Sequence, residues 1–149
     1  MTKPIICVDF DGVIASWDQG TFWQPGPPIP GAEEFLKQLA TIGEVIIWTC
    51  RTNSKMYDGT HVAVLRDRIW WYLIQWGLTK HVDSVYVGDG KPYATCYIDD
   101  KAIYCDPERI GKGAFTLALG AVEALCHSNK AHCQKGTEPC TTPASDSNS

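Results

Sequence analysis

Residues 6–18 read ICVDFDGVIASWD. An apolar run that starts at Pro4 and carries Ile5, Ile6 and Val8 stops abruptly at Asp9-Phe10-Asp11-Gly12. A short run rich in β-branched residues reads as a strand buried on both faces, the kind found in parallel sheets. Two carboxylates two positions apart, set at the end of such a strand and followed at once by glycine, need a chemical reason.

Working outward, the same alternation recurs along the chain. Gly31 to Leu39 places Ala32, Phe35, Leu36 and Leu39 at the spacing of a helix face, with Glu33 and Glu34 in its positive first turn and Gly43 ending it. Glu44 to Trp48 reads as a second buried strand, and His61 to Trp76 as a second helix closed by Gly77. Val82 to Val87 and Thr95 to Ile98 read as third and fourth strands, and Phe115 to Cys126 as a last helix. Between the first strand and first helix, Gly20, Pro25, Gly26, Pro27, Pro28 and Pro30 forbid regular structure. Strands alternating with helices predict an α/β fold: a Rossmann-like, three-layer α/β/α arrangement with a mainly parallel sheet and right-handed connections. One domain is expected over 1–127. From residue 128 to 149 Ser, Thr, Asn, Pro, Lys and Gly dominate, a composition that cannot bury enough apolar area to order itself and predicts a flexible polar tail. There is no internal repeat.

Composition narrows the function classes. The 149 residues are 44% hydrophobic, enough for a real core, and the formal net charge of −4 gives no global attraction for nucleic acid or acidic membranes. A nucleic-acid substrate would have to be held by local basic residues. No apolar run approaches membrane-spanning length, and Met1-Thr2-Lys3-Pro4 does not begin a signal peptide. Of the seven cysteines, Cys7, Cys50 and Cys96 fall inside apolar strand-like runs, where cysteine acts as a small hydrophobe. The expected setting is a reduced cytoplasm with no membrane partner.

In a parallel sheet of this kind ligands bind beyond the carboxyl ends of the strands. The first strand ends on Asp9 with Asp11 just past it, the second on Thr49-Cys50-Arg51, and the fourth on Asp99-Asp100, with Lys91 in the loop leading into the fourth. An aspartate after a strand is ordinarily a turn former or a cap. Four of them at adjacent strand ends would repel one another unless a cation sat among them, and oxygen ligands of this type suit Mg²⁺.

Asp9-Phe10-Asp11-Gly12-Val13 resembles the first motif of the haloacid dehalogenase (HAD) superfamily of phosphatases and phosphotransferases. Thr49, Lys91 and Asp99-Asp100 are similar to its second, third and fourth motifs, in the same order, and the resemblance runs from about Pro4 to Leu125. Thr49-Cys50-Arg51 and Tyr97-Ile98-Asp99-Asp100 further resemble a small branch without a cap domain that includes polynucleotide-end phosphatases and bacterial and phage proteins of uncharacterised function. The resemblance implies a Mg²⁺-dependent phosphomonoester hydrolase. Asp9 would attack phosphorus and form an aspartyl-phosphate. Asp11 would protonate the leaving oxygen and then deprotonate the hydrolytic water. Thr49 would hold a phosphoryl oxygen, and Lys91 would neutralise phosphoryl charge and restrain the nucleophile. The metal would be held by Asp9, the backbone carbonyl of Asp11, and an acid of the Asp99-Asp100 pair, the other acid orienting the first.

Competing readings of these residues are specific. Val87-Gly88-Asp89-Gly90 also resembles a fourth motif, in which case Lys80 would be the motif lysine and Asp99-Asp100 would lie beyond the site; Asp89 between two glycines reads more simply as a turn. Receiver domains use an acid pair, an acceptor Asp, Thr or Ser, and Lys, but in a different order along the chain. A catalytically silent binding module on the same fold is the third reading. Trp70, Trp71, Leu73, Ile74 and Trp76 read as core packing, and Arg66, Asp67 and Arg68 as a solvated face. Cys126, His127, His132, Cys133 and Cys140 match no standard zinc spacing.

The substrate expectation follows from the missing cap. The family's two insertion points offer only Ser16 to Pro30 and Gly88 to Ala94, too short for a domain. An open site favours a phosphate on a larger substrate, and a nucleotide or nucleic-acid end is the expected class. Arg51 is placed to grip a phosphate. Trp17 and Trp23 either stack a base or staple the proline-rich loop to the body.

Overall fold

The computed structural model describes residues 3–17, 24–53 and 59–133, with backbone alone at 59–60 and 125–133. The chain divides into two compact units, 1–102 and 103–149. In the first, β1 (Ile5–Val8), α1 (Ala32–Ile42), β2 (Glu44–Ile47), α2 (Gly59–Gln75), β3 (Ser84–Val85) and β4 (Cys96–Ile98) follow one another along the chain. The second contains a single-turn helix α3 (Pro107–Ile110) and the long helix α4 (Gly113–Cys133).

The sheet is wholly parallel, in the order β3-β2-β1-β4. Register pairs Ile6 with Val45 and Val8 with Ile47, so these four side chains share one face. The same four join Leu36 and Leu39 of α1 and Ile69, Tyr72 and Leu73 of α2 in one buried core. Both crossovers therefore return on the same side of the sheet, as right-handed connections stepping in one direction must. Within residues 3–102 the described helices thus make one layer over the sheet. The connection from β3 to β4 is an irregular loop containing Gly88 and Gly90, so the second helical layer expected from the sequence is not supplied by a described helix of this unit.

Local chemistry explains the element boundaries. Gly43 follows α1 because a Cβ there would lie 2.3 Å from the carbonyl oxygen of Pro4; only glycine lets β1 and β2 start side by side. Strand β3 is shorter than the apolar run Val82–Val87 predicts, because the Asp83 carboxylate, rather than a strand carbonyl, accepts the Val45 N–H at 2.7 Å. Helix α2 buries Val62, Leu65, Ile69, Tyr72 and Leu73. The expectation that its tryptophans are core holds only for Trp70, which is partly buried against the core. Trp71 is 68% exposed, and Ile74 and Trp76 are also exposed. Five bulky apolar residues within seven positions span more of the circumference than one helix face can bury.

Cysteine behaves as expected at Cys7, which is fully buried, but Cys50 and Cys96 are exposed. Cys7, Cys50, Cys96 and Cys105 are free thiols. Helix α4 starts two residues before the predicted Phe115 and continues past 127 to Cys133. The side chains of Cys126, His127, His132, Cys133 and Cys140 lie outside the described residues, as does Trp23. No described helix is long and apolar enough to cross a membrane.

Candidate active site

The parallel order brings the carboxyl ends of β1, β2 and β4 to one edge of the sheet, and the expected site residues meet there. Asp9 extends β1 by one more ladder bond, its N–H donating to the Ile98 carbonyl at 2.8 Å. The chain then turns back: Ile14 and Ala15 both donate to the Phe10 carbonyl, and Gly12 donates to Ala15. Phe10, Ile14 and Ala15 are fully buried, and the segment around Pro27–Ile29 straps the turn through Ser16 to Pro27 and Ile29 to Ile14 bonds. The two acids are thus carried on a turn fixed by buried side chains on both sides of them, a rigid platform for chemistry.

One carboxylate oxygen each from Asp9, Asp99 and Asp100 lies within 4.8 Å of the others. Asp9 Oδ1 accepts the Phe10 N–H at 2.7 Å, and Asp99 Oδ1 accepts the Lys101 N–H at 2.7 Å, which fixes both side chains. Gly12 has φ +81°, and a Cβ there would fall 2.4 Å from Asp100 Oδ2. The glycine of the DFDG run therefore serves to admit the Asp100 carboxylate as well as to turn the chain. Burial, chiefly, pushes Asp9 up to about 7; the Phe10 N–H pulls the other way, and the charges of Asp99, Asp11 and Asp100 add to the rise. These three carboxylates could hold a cation, and their hard oxygen donors are of the type Mg²⁺ takes.

Asp11 does not join the cluster through its side chain. Its carboxylate is held by the fork of Arg51, at 2.6 Å from Nε and 2.7 Å from an Nη. The guanidinium is 3% exposed and also lies over the rings of Phe10 and Trp17, at 5.9 and 5.6 Å. Arg51, expected to grip a substrate phosphate, directs two of its five N–H donors at Asp11 in this arrangement. Trp17 is 53% exposed, with the Arg51 guanidinium lying over its ring.

Thr49 is buried at the end of β2 and opens a 3₁₀ turn over Cys50–Thr52, its Oγ1 accepting the Arg51 N–H at 3.3 Å. The hydroxyl proton remains to be donated elsewhere. Lys91 lines the same cavity as Asp9, Thr49 and Asp99, but makes no ion pair with Asp9. Its Nζ sits 3.7 Å from the Tyr97 ring centroid, and the Tyr97 hydroxyl donates to the Pro92 carbonyl, tying the lysine loop to β4. The expected restraint of the nucleophile by Lys91 is therefore absent as the side chain stands.

The cavity has a volume of about 360 Å³, and Trp48 and Tyr86 are among the residues that line it. It also contains Lys101, which the sequence reading passed over; the signal was its place immediately after the acid pair. The Cys50 thiol on the cavity wall is pushed up by burial, then by Asp9 and Asp11, and is pulled back by Arg51 and Lys101. The alternative motif does not assemble: Asp89 is exposed and outside the acid cluster, and Lys80 pairs with Glu33 at 2.9 Å, lining a different cavity. No family model, curated protein or solved structure matches this chain.

Proposed function

We infer that this protein is a HAD-like, Mg²⁺-dependent phosphomonoester hydrolase of the cytoplasm that works through an aspartyl-phosphate. The observation that carries this reading is the convergence of one carboxylate oxygen each from Asp9, Asp99 and Asp100 within 4.8 Å, with Asp9 and Asp99 lining a cavity shared with Thr49 and Lys91.

Asp9 Oδ2 is the nucleophile, since Oδ1 is held by the Phe10 N–H. As it attacks, an Oδ2–phosphorus bond forms and the bond from phosphorus to the alcohol oxygen breaks. Asp11 supplies the proton that leaves with the alcohol. It then takes a proton from the water that attacks the phosphorus, and Asp9 is released with inorganic phosphate. Arg51 holds Asp11 in place, and one of its two bonds opens as the carboxyl turns to the leaving oxygen. Thr49 donates its hydroxyl to a phosphoryl oxygen, and Lys91 swings off the Tyr97 ring to meet the phosphoryl charge. Mg²⁺, held by Asp9, the Asp11 carbonyl and the Asp99-Asp100 pair, would neutralise charge on the transferring group and keep Asp9 ionised.

The expected substrate is a phosphomonoester, with a nucleotide or nucleic-acid end as the class the open cavity favours. The test is phosphate release from an aryl phosphate with and without Mg²⁺. Turnover that depends on the metal and disappears in Asp9→Asn supports the reading; turnover retained by Asp9→Asn contradicts it.

A further inference from the structure

The cavity is lined by more lysines than the hydrolysis inferred above employs. Two ammonium groups line it, Lys91 and Lys101. Among the described residues neither forms an ion pair with any carboxylate, although Asp9 and Asp99 line the same cavity. Lys91 rests on the Tyr97 ring, from the loop before β4, whereas Lys101 follows the acid pair beyond the end of β4. The two lysines thus reach the one cavity from different segments of the chain. The hydrolysis inferred above employs one of them.

The space is also larger than phosphate needs. Its 360 Å³ falls in the range of roughly 300–1,000 Å³ typical of sites for small organic ligands. Trp48 and Tyr86 offer ring surface to an organic body, as apolar walls with a few fixed polar groups generally do. A lysine with no carboxylate partner among the described residues, set in a cavity beside such walls, is best satisfied by an anion that arrives with the substrate.

We propose that the preferred substrate is a compact phosphomonoester bearing a second anionic group, and that Lys101 is the specificity residue that recognises that group. Resting on the phosphomonoesterase reading, this narrows its substrate class to small bodies and sets the nucleic-acid end aside. The shared chemistry is an oxyanion, carboxylate or phosphate, on a body small enough to lie between Trp48 and Tyr86.

The test compares three aryl esters with Mg²⁺ present: phenyl phosphate, 3-carboxyphenyl phosphate and benzene-1,3-diyl bisphosphate. The full-length protein should favour at least one of the two doubly anionic esters in kcat/KM by about tenfold over phenyl phosphate, the gain residing in KM, as one partly exposed charge-assisted contact gives. The ester that shows the gain identifies the anion. Lys101→Gln should bring the ratio to about one, Lys101→Arg should keep most of it, and added salt should shrink it because the contact is solvent-exposed. Lys80→Gln, in the surface pair with Glu33, should leave the ratio as it is. Equal efficiency on all three esters, or an unchanged ratio in Lys101→Gln, would overturn the second-anion proposal alone. Hydrolysis of none of them would overturn the phosphomonoesterase reading and this proposal together.

Discussion

Replacing Asp9 by Asn should stabilise the metal-free protein at alkaline pH. Asp9 is lifted from an ordinary 3.8 to about 7, chiefly by burial and then by Asp99, Asp11 and Asp100. A carboxyl raised in this way holds its proton in the folded chain at pH values where the unfolded chain has lost it. The folded state then binds more protons, so stability falls as pH rises between about 4 and about 7 and is level above. The shift of about 3 units sets an upper bound of about 4 kcal/mol, at 1.36 kcal/mol per unit. Asp9 is only partly buried, and solvent screening reduces this to about 1–2 kcal/mol. Asparagine keeps the shape and the Oδ1 acceptor for the Phe10 N–H but carries no charge. In a thermal melt with chelator at pH 8, Asp9→Asn should therefore unfold roughly 4–16 °C above the unsubstituted protein, given about 4–8 °C per kcal/mol for a unit of this size. At pH 4 the two should nearly coincide. An Asn variant that melts at or below the parent at pH 8, or a gap that does not change with pH, would refute the electrostatic argument.

Arg51→Ala leaves the Asp11 carboxylate buried and unpaired, and should cost about 3–5 kcal/mol in urea unfolding; a loss under 1 kcal/mol would mean the fork contributes little. Gly12→Ala adds a Cβ where φ is +81° and Asp100 Oδ2 lies 2.4 Å away. It should cost about 1–3 kcal/mol of stability and weaken Mg²⁺ binding measured by calorimetry, whereas Gly90→Ala, with open space around its Cβ, should not touch the metal. Asp99→Asn and Asp100→Asn should each lose most of the Mg²⁺-induced rise in Tm, and Asp89→Asn should keep it; the reverse pattern would move the metal to the glycine-flanked aspartate.

Much of this arrangement was legible in the chain itself. Strand β1 shows as an apolar, β-branched run because Ile6, Cys7 and Val8 are all buried, and the meeting of Asp9, Thr49, Lys91 and Asp99 follows from a parallel sheet whose carboxyl ends share one edge. The partner each side chain would choose was not legible. Arg51 follows Thr49 in sequence at a strand end, and nothing in that position distinguishes a fork aimed at a ligand from one aimed at Asp11. Lys91 resting on Tyr97 depends on how the loop between them closes, with the Tyr97 hydroxyl bonded to the Pro92 carbonyl. The Trp-rich end of α2 misleads for another reason: hydrophobic spacing marks a helix, but it does not say that every apolar side chain on it is covered. Strand β3 is cut short by a side chain, Asp83, competing with the ladder for a backbone N–H, a substitution that propensity cannot register.

The central claim is that Asp9 carries the phosphoryl group. It is tested most directly by mixing the protein with an aryl phosphate and Mg²⁺, quenching in acid within the first turnover, and locating the added phosphoryl mass by peptide mass spectrometry. The account predicts the phosphoryl group on the peptide containing Asp9, absent with chelator and absent in Asp9→Asn. Hydrolysis that proceeds with no phosphorylated peptide at any quench time, or with the group on any other residue, would contradict it.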